Sequence, residues 1–220
     1  MNELPYVILR LPDVIGPFDG TYRLWLYIKW ILFNQQYPIH LDSDSETKKL
    51  SFVYSEDVVE VLYKIAKKMQ STEDDYVESF IRKINKKSIN LCFNETLTLK
   101  EFLDVICTRM QADNVKFLPE KELYKSGHFF LPSVECGPIS NELAKELFDF
   151  EPTELYTAIN ATVDFFMDAN INEVYNKEHR ACIEKFQKVV SHYTNNKGRI
   201  ILNNNKMEIV TQNTQLHALK

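Results

Sequence analysis

Residues 5–17, PYVILRLPDVIGP, carry the pattern that decides the fold class. The first seven are mostly β-branched, aliphatic or aromatic, and Pro12 follows them, so they predict a β-strand that stops at the proline. Both faces of this strand are apolar, which is typical of a strand covered on both sides in a parallel sheet. Gly16 and Pro17 then indicate a turn within a loop over residues 12–22.

Strands and helices alternate outward from this strand. Amphipathic spacing predicts helices over residues 21–34, 57–70, 76–84, 98–110, 140–147, 153–167 and 172–195. Further strands are predicted at residues 48–54, 89–93 and 115–118, with a hairpin around 203–205. Thr98 and Glu101 form a capping box, and Ser140 and Thr153 are the expected caps of two later helices. This alternation predicts an α/β protein.

The composition excludes several classes of protein. Glycine occupies 5 of the 220 positions, and no G-x-G-x-x-G or P-loop pattern is present, so the sequence contains no usual phosphate-binding loop. The net charge of −5 provides no basic field, and we expect no nucleic-acid partner. The most apolar stretch, residues 24–33, is too short to cross a bilayer, and acidic Glu3 does not fit a signal peptide. We therefore expect a cytoplasmic protein without membrane contact.

Cysteines and histidines show no pattern of a metal or redox site. The four cysteines contain no C-x-x-C pair, which favours a reduced chain. The five histidines are scattered without ligand spacing, so we expect no metal. One Tyr-x-x-x-Lys pattern, Tyr63 to Lys67, lies on a predicted helix and fits a solvated helix face.

The last 50 residues differ in charge from the rest. Residues 1–170 hold 18 basic and 27 acidic side chains, whereas residues 171–220 hold 8 and 4. We expect one α/β domain over residues 1–170 and a basic helical tail over 171–220, with a disordered end from residue 212. The basic side chains of the tail helix either contact RNA or a protein partner, or stay solvated while the apolar stripe docks. These side chains are Lys177, Arg180, Lys185 and Lys188, and the stripe contains Ile183, Phe186 and Val189.

The segment VILRLPDVIGP (Val7–Pro17) resembles a strand and loop of the extended short-chain dehydrogenase/reductases, the NAD-dependent epimerase/dehydratase family. Three more segments resemble that family in the same order: FVYSEDVVEVLYKIAK (Phe52–Lys67), INLCFNETLTLKEFLDVI (Ile89–Ile106) and ISNELAKELFDFEPTELYTAINATVDFF (Ile139–Phe166). The resemblance implies the C-terminal part of a Rossmann-type fold, with an incomplete parallel sheet and a small α/β substrate domain. In the family, a Gly-rich cofactor half and a catalytic Tyr-x-x-x-Lys come earlier, and this sequence contains neither at the matching place.

The resemblance also implies roles for five residues. The backbone at Leu11 and Pro12 would border the nicotinamide of NAD or NADP, provided that the missing N-terminal half is present. Asp13 falls where relatives place a substrate-contacting Asn, and it fits a loop carboxylate equally well. Tyr22 and Arg23 begin a helix that flanks the substrate cleft, where Arg23 either pairs with an anionic substrate group or lies in solvent.

Two positions bear on the kind of substrate. Leu50 aligns with the arginine that grips the diphosphate in nucleotide-sugar enzymes, and a leucine cannot bind phosphate. A carboxylate at Asp13 would also repel a phosphate. The resemblance therefore implies a neutral or singly anionic small molecule. Tyr54, Glu56 and Asp57 fit a structural role better than a functional one, because Asp57 belongs at a helix N-terminus.

Two hypotheses about function follow. The first is the substrate-binding part of an NAD(P)-dependent epimerase, dehydratase or reductase, without dehydrogenase activity of its own. The second is a non-catalytic binding or scaffold protein, with an RNA or protein partner, on a degenerate form of the same fold. In both, the strand at residues 5–11 would leave two unpaired edges and expose Val7, Ile8 and Leu9. We therefore expect aggregation, or a second chain that completes the sheet.

Overall fold

The structure is a computed structural model that describes residues 4–34, 37–119, 131–132, 137–171, 176–194, 199–203 and 206–210. Its helices are α1 (Arg23–Leu32), α2 (Ser55–Met69), α3 (Asp74–Ile84), α4 (Leu99–Arg109), α5 (Glu142–Phe148), α6 (Leu155–Ile171) and α7 (Asn176–Thr194), with a 3-10 turn at Ser43–Glu46. Its strands are β1 (Ile8–Arg10), β2 (Asp13–Ile15), β3 (Ile39–Leu41), β4 (Lys49–Leu50), β5 (Phe52–Tyr54), β6 (Ser88–Asn90), β7 (Leu97–Thr98), β8 (Phe117–Pro119), β9 (Arg199–Asn203) and β10 (Lys206–Val210). The predicted α/β class is confirmed.

The strands form short pairs rather than one wide sheet. Three pairs are parallel: β1 with β6, β2 with β5, and β3 with β8. Parallel pairing requires crossover connections. Helix α1 lies in the chain between β2 and β5, and α1, α2 and α3 lie between β1 and β6. Two pairs are antiparallel, β4 with β7 and β9 with β10, and the second confirms the predicted hairpin.

Two apolar cores hold these elements together. The larger core lies among α1, α4, α6 and α7, and the smaller lies between the β1–β6 pair and helices α2, α3 and α5. Helix α1, predicted as amphipathic, is buried from Leu24 to Ile31 with Lys29 included, because α4, α6 and α7 surround it. The larger core includes Phe166 and Phe186, so it joins residues from both sides of the predicted domain boundary at 170. That boundary itself stays a prediction.

Helix caps follow the sequence at one helix and depart from it at another. The capping box of α4 is confirmed: Thr98 Oγ1 accepts from the Glu101 N–H, and the Glu101 carboxylate accepts from the Thr98 N–H. The prediction of Thr153 as the cap of α6 is wrong. Thr153 donates to Asp57 instead, and the Glu154 carboxylate accepts from the first backbone N–H groups of α6. An acidic side chain at this end also complements the helix dipole.

Strand β1 departs from the sequence-based prediction in two ways. It spans three residues and pairs with β6, so the prediction of two unpaired edges is wrong for one edge. No other strand among the described residues pairs with its second edge. Val7 and Leu9 pack half-buried against the smaller core, while Ile8 is 48% exposed. Among the described residues, the expected cover on both faces is therefore wrong, since the face that carries Ile8 stays half exposed beside its partner Ser88.

Helix α7 confirms that the apolar stripe of the tail docks, whereas the role of its exposed basic side chains stays a prediction. Its apolar stripe, Ile183, Phe186 and Val189, is buried in the larger core, mainly against α1. Lys177, Arg180 and Lys188 are exposed. The stretch expected to be disordered, residues 212–220, lies outside the described residues.

Candidate functional site

Two of the predicted substrate-binding residues contact each other. Asp13 begins β2 and Arg23 begins α1, and Arg23 Nη1 lies 2.9 Å from Asp13 Oδ1. The Asp13 side chain is 2% exposed and that of Arg23 is 11% exposed. Arg23 is therefore not a solvated surface residue, because its guanidinium compensates a carboxylate carried by a buried strand. The pair joins the end of the β1–β2 segment to the start of α1.

The loop before α1 is built as a polar network. The Asp19 carboxylate accepts from the Thr21 N–H and from Thr21 Oγ1, and that oxygen accepts in turn from Arg23 Nε. Gly16 begins the loop with φ +156°, and a Cβ there would lie 2.9 Å from Ser55 Cβ and overlap its hydroxyl. Glycine is therefore required where this loop crosses the N-terminus of α2. These contacts hold Arg23 in place before any ligand binds.

Tyr22, the third predicted substrate-binding residue, is held between this loop and α7. Its backbone is left-handed, with φ 60°. Lys185 of α7 lies 4.8 Å from the centre of the Tyr22 ring and donates to the Thr21 carbonyl oxygen at 2.9 Å. Partial burial, with Glu178 nearby, raises the pKa of Tyr22 above its usual value. Lys185 thus joins the site from the tail, where the sequence showed it only as one of several basic side chains.

Leu11 and Pro12, the predicted cofactor-bordering residues, connect β1 to β2 directly before Asp13. Leu11 is 39% exposed and Pro12 is buried. Cavities in the described part of the chain lie elsewhere: about 450 Å³ along α3, about 320 Å³ beside Asn94 and Phe150, about 260 Å³ at the ends of β3 and β8, and about 210 Å³ between α3 and α5. None of these four is lined by any of the five predicted site residues.

Other residues singled out in the sequence have structural surroundings. Leu50 is 2% exposed within the larger core, where it cannot touch a ligand. Asp57 is buried in the first turn of α2 and accepts from the N–H and hydroxyl of Thr153, so its expected place at a helix start is confirmed. Tyr63 and Lys67 both lie exposed on α2, as a solvated helix face requires.

One cluster in the larger core was not found from the sequence. Lys29 of α1 and His179 of α7 are 2% and 4% exposed, and Lys29 Nζ lies 2.5 Å from His179 Nε2. Burial lowers the pKa of Lys29 to about 8. Burial and the Lys29 charge lower the pKa of His179 to about 4, so the imidazole is neutral at pH 7 and accepts from the ammonium. Burial raises the pKa of the neighbouring Cys182 thiol to about 12. This cluster is sealed under α7 and serves packing.

Among the described residues, no group of three or more His, Cys, Asp or Glu side chains is arranged to hold a metal ion. No helix in the described part of the chain combines the length and apolar character needed to cross a membrane. Cys92, Cys107 and Cys182 are buried free thiols.

Comparison with known proteins finds similarity in three dimensions only. No protein-family model and no curated protein matches the sequence. Solved structures do match. UDP-glucose 4-epimerase from Thermotoga maritima is 19% identical with a TM-score of 0.53, and the match covers 76% of this chain and 47% of that one. UDP-glucuronic acid 4-epimerase from Bacillus cereus, solved with UDP-glucuronic acid and NAD, is 18% identical with a TM-score of 0.52, covering 75% and 46%.

The epimerase Mth375 from Methanothermobacter thermautotrophicus is 16% identical with a TM-score of 0.55, and the match covers 80% of this chain and 46% of that one. The chain thus spans somewhat under half of the length of these structures. At this level of identity the likeness concerns the fold, and it agrees with the resemblance in the four sequence segments. Three quarters or more of this chain therefore shares the fold of one part of these epimerases.

Proposed function

We propose that this chain is the substrate-binding part of an NAD(P)-dependent epimerase, dehydratase or reductase that acts on a small molecule. The observation that carries the proposal is the convergence of Asp13, Tyr22 and Arg23 at one loop of a fold shared with UDP-sugar epimerases. The residues were assigned to a substrate site from the sequence resemblance alone. The contact between Asp13 and Arg23 is an independent reason to group these two residues, and Tyr22 directly precedes Arg23 in the chain.

The residues present do not fit a complete dinucleotide site. The 220 residues contain no Gly-rich loop that would seat a pyrophosphate. Leu11 and Pro12 could border a nicotinamide only if another polypeptide segment held the rest of NAD or NADP. The one Tyr-x-x-x-Lys pattern singled out in the sequence, Tyr63 to Lys67, lies on α2 and not before β1, where relatives carry their catalytic pair. We accordingly propose that it has no dehydrogenase activity by itself.

The charges at the loop favour a substrate without a diphosphate. Arg23 is engaged by Asp13, so the pair contributes no net charge, and Leu50 is buried. The cation that lies nearest to the Tyr22 ring is Lys185, which already donates to a backbone carbonyl. A pyrophosphate would carry two or more negative charges to a place with no uncompensated arginine. A neutral polyol or hydroxy-ketone, or a molecule with one anionic group, fits these residues better.

Isothermal titration calorimetry tests this proposal. The purified chain is titrated with NAD, NADH, UDP-glucose, UDP-glucuronic acid and a panel of small hydroxy-ketones. We expect no NAD binding below 1 mM, and binding of at least one hydroxy-ketone that Tyr22→Phe weakens about tenfold, the value of one lost hydrogen bond. Tyr156→Phe, at an exposed tyrosine on α6, is the matched control and should change nothing. Micromolar binding of a UDP-sugar, lost on Asp13→Ala, would show that the substrate class is wrong, and turnover of NADH would show that the chain is an enzyme.

The exposed basic side chains of α7 favour a second candidate, a non-catalytic RNA-binding protein. Lys177, Arg180 and Lys188 lie exposed on one helix. An electrophoretic mobility shift with a 20-nucleotide single-stranded RNA at 50 and 200 mM salt tests this candidate. Affinity that falls steeply with salt and is lost on Arg180→Glu would favour it over the first proposal.

A further inference from the structure

Helix α7 contributes one lysine to the loop that carries Tyr22, although this helix follows the last segment that resembles the dehydrogenase family, residues 139–166. Lys185 Nζ lies 2.9 Å from the Thr21 carbonyl oxygen and 4.8 Å from the centre of the Tyr22 ring. Lys185 is half-buried, whereas the other lysine and arginine side chains of α7 are exposed. These contacts distinguish Lys185 from the solvated basic side chains of the tail.

Packing on both sides of Lys185 fixes its place on α7 relative to α1. Phe186, the next residue, is fully buried in the larger core, and the centre of its ring lies 5.8 Å from that of Phe33 at the end of α1. Cys182, about one turn before Lys185, is fully buried as well. Because both of these neighbours are held in a close-packed core, the position of the Lys185 Cα is set by packing. The contacts with the loop then hold the end of the side chain.

Tyr22 has a backbone conformation that a bulky residue rarely adopts. Its φ is 60° and its ψ is 16°, in the left-handed region. The Tyr22 N–H donates to the Asp19 carbonyl oxygen at 3.2 Å, and the Tyr22 carbonyl oxygen accepts from the Leu26 N–H at 2.8 Å. Lys185 donates to the Thr21 carbonyl oxygen, which belongs to the same peptide group as the Tyr22 N–H. A strained residue of this kind persists where several surrounding contacts fix it, and Lys185 supplies two of them.

The Tyr22 hydroxyl is suited to donate a hydrogen bond to a ligand. Burial raises the pKa of Tyr22 above its usual value and the nearby Glu178 raises it further, so the hydroxyl is protonated at neutral pH. Glu178 and Lys185 are seven residues apart on α7, so they lie on one face of the helix, the face beside Tyr22. The Glu178 carboxylate offsets the charge of the Lys185 ammonium there. This offset argues against Lys185 as a direct binding group for an anion and favours a role that acts through Tyr22.

We propose that Lys185 is a positioning residue of the substrate site, which fixes the Tyr22 ring and the Thr21–Tyr22 peptide group in the orientation that presents the Tyr22 hydroxyl to a substrate. Lys185 itself does not touch the substrate in this arrangement. The inference rests on the proposed function, because Tyr22 is a substrate-binding residue only under that proposal. It gives helix α7 a part in the site, so that loss of the contact between α7 and the loop impairs binding through Tyr22.

Fluorine NMR of the full chain labelled with 3-fluorotyrosine tests the positioning without a ligand. The Tyr22 resonance is identified by its absence from Tyr22→Phe. Lys185→Met keeps the length of the side chain but removes the charge and the hydrogen-bond donor, so we expect it to shift and broaden this resonance. Lys185→Arg keeps both and should return the resonance toward its original position. Lys68→Met is the matched control, because Lys68 Nζ lies 5.0 Å from the centre of the Phe80 ring in the smaller core, and it should leave the Tyr22 resonance unchanged.

Isothermal titration calorimetry gives the second readout, with hydroxyacetone as the first member of the hydroxy-ketone panel to be used. We expect Lys185→Met to weaken binding about tenfold, close to the value of one hydrogen bond. In a Tyr22→Phe background the same substitution should weaken binding by about twofold or less, because its effect passes through the Tyr22 hydroxyl. Lys185→Arg should restore most of the affinity, whereas Lys68→Met should not change it.

The outcomes separate this inference from the proposed function. An unshifted Tyr22 resonance in Lys185→Met, or an equal loss of affinity with and without Tyr22→Phe, would overturn the positioning role. If no hydroxy-ketone of the panel binds the unmodified protein, the proposed substrate class is wrong, and the Tyr22 resonance still decides whether Lys185 positions that residue. Circular dichroism checks the folding of each variant. Should Lys185→Met not fold, Lys185→Gln removes the charge but keeps a hydrogen-bond donor, and the same two results decide.

Discussion

Replacing buried Asp57 with alanine should destabilise the fold more than the same replacement at any exposed acid on α2. The Asp57 carboxylate accepts from the Thr153 N–H at 3.0 Å and from the Thr153 hydroxyl at 2.7 Å, and the residue is 8% exposed. Hydrogen bonds to a charged group are worth about 1.5–3 kcal/mol each, and a first-turn acid adds about 0.3–1 kcal/mol through the helix dipole. Because the two bonds share one acceptor group, we expect a combined loss of about 3 kcal/mol.

Urea unfolding followed by circular dichroism, at one protein concentration, measures this loss. A change of about 3 kcal/mol should lower the melting temperature by about 6–12 °C for a chain of this size. Glu56→Ala is the control, because Glu56 lies in the same first turn and is exposed, so it shares the dipole contribution without the Thr153 bonds. Thr153→Val removes the hydroxyl and keeps the N–H, and should lose about half as much. If the unfolding free energies of Asp57→Ala and Glu56→Ala differ by less than about 0.5 kcal/mol, the usual scatter of surface substitutions, the reasoning is refuted.

Three further predictions concern stability. Thr98→Ala should remove the α4 capping box and lower the free energy of unfolding, measured in urea, by about 1 kcal/mol. Thr108→Ala, near the other end of α4, is the comparison, and equal losses for the two variants would contradict the capping argument. Gly16→Ala should prevent or strongly destabilise folding, because its Cβ would overlap Ser55, whereas Gly20→Ala has no neighbour within 4 Å and should melt within 1 °C of the unmodified protein. The pKa of His179 is lowered to about 4, so its neutral form stabilises the fold fully above about pH 6.5, and this contribution, about 3 kcal/mol at most, is lost as the pH falls toward 4. His179→Gln should therefore make the urea midpoint less dependent on pH over this range. An unchanged pH dependence would assign the acid sensitivity to other groups.

Much of the fold was predictable because it rests on local patterns. Helix α2 was predicted over residues 57–70 and observed at Ser55–Met69, since its apolar spacing and acidic first turn act within a few residues. The α4 capping box is likewise decided by a pair of residues three apart. The same locality explains the error at α6. A threonine before a helix is predicted to cap it. Whether the Thr153 hydroxyl bonds to its own helix or to Asp57, 96 residues away, depends on the packing of α2 beside it.

The candidate site was predictable in part. Asp13, Tyr22 and Arg23 were singled out by resemblance, but their mutual contact was not, because Asp13 and Arg23 are separated by a loop whose path no local pattern describes. The contact of Lys185 with this site could not be predicted from the sequence at all. This lysine comes from a helix more than 160 residues along the chain, and only the docking of α7 on α1 brings it to the Tyr22 ring.

The sequence by itself determined the α/β class, the order of the seven helices and the absence of a Gly-rich phosphate loop, because each depends on residue types and on spacings shorter than one helix. It missed the short strands β2, β3 and β7, and it assigned the residues of β2 to a loop. Only the tertiary structure decided which charges neutralise one another and which apolar residues stay exposed. The sequence pattern places Lys29 on the polar side of an amphipathic helix. In the structure Lys29 is buried against His179, because α7 covers that side of α1. Leu62 reads as part of an apolar face, yet it is exposed because α2 buries only the arc around Val61. Burial and pairing are sums over neighbours that are distant in sequence, and a pattern read along the chain does not contain them.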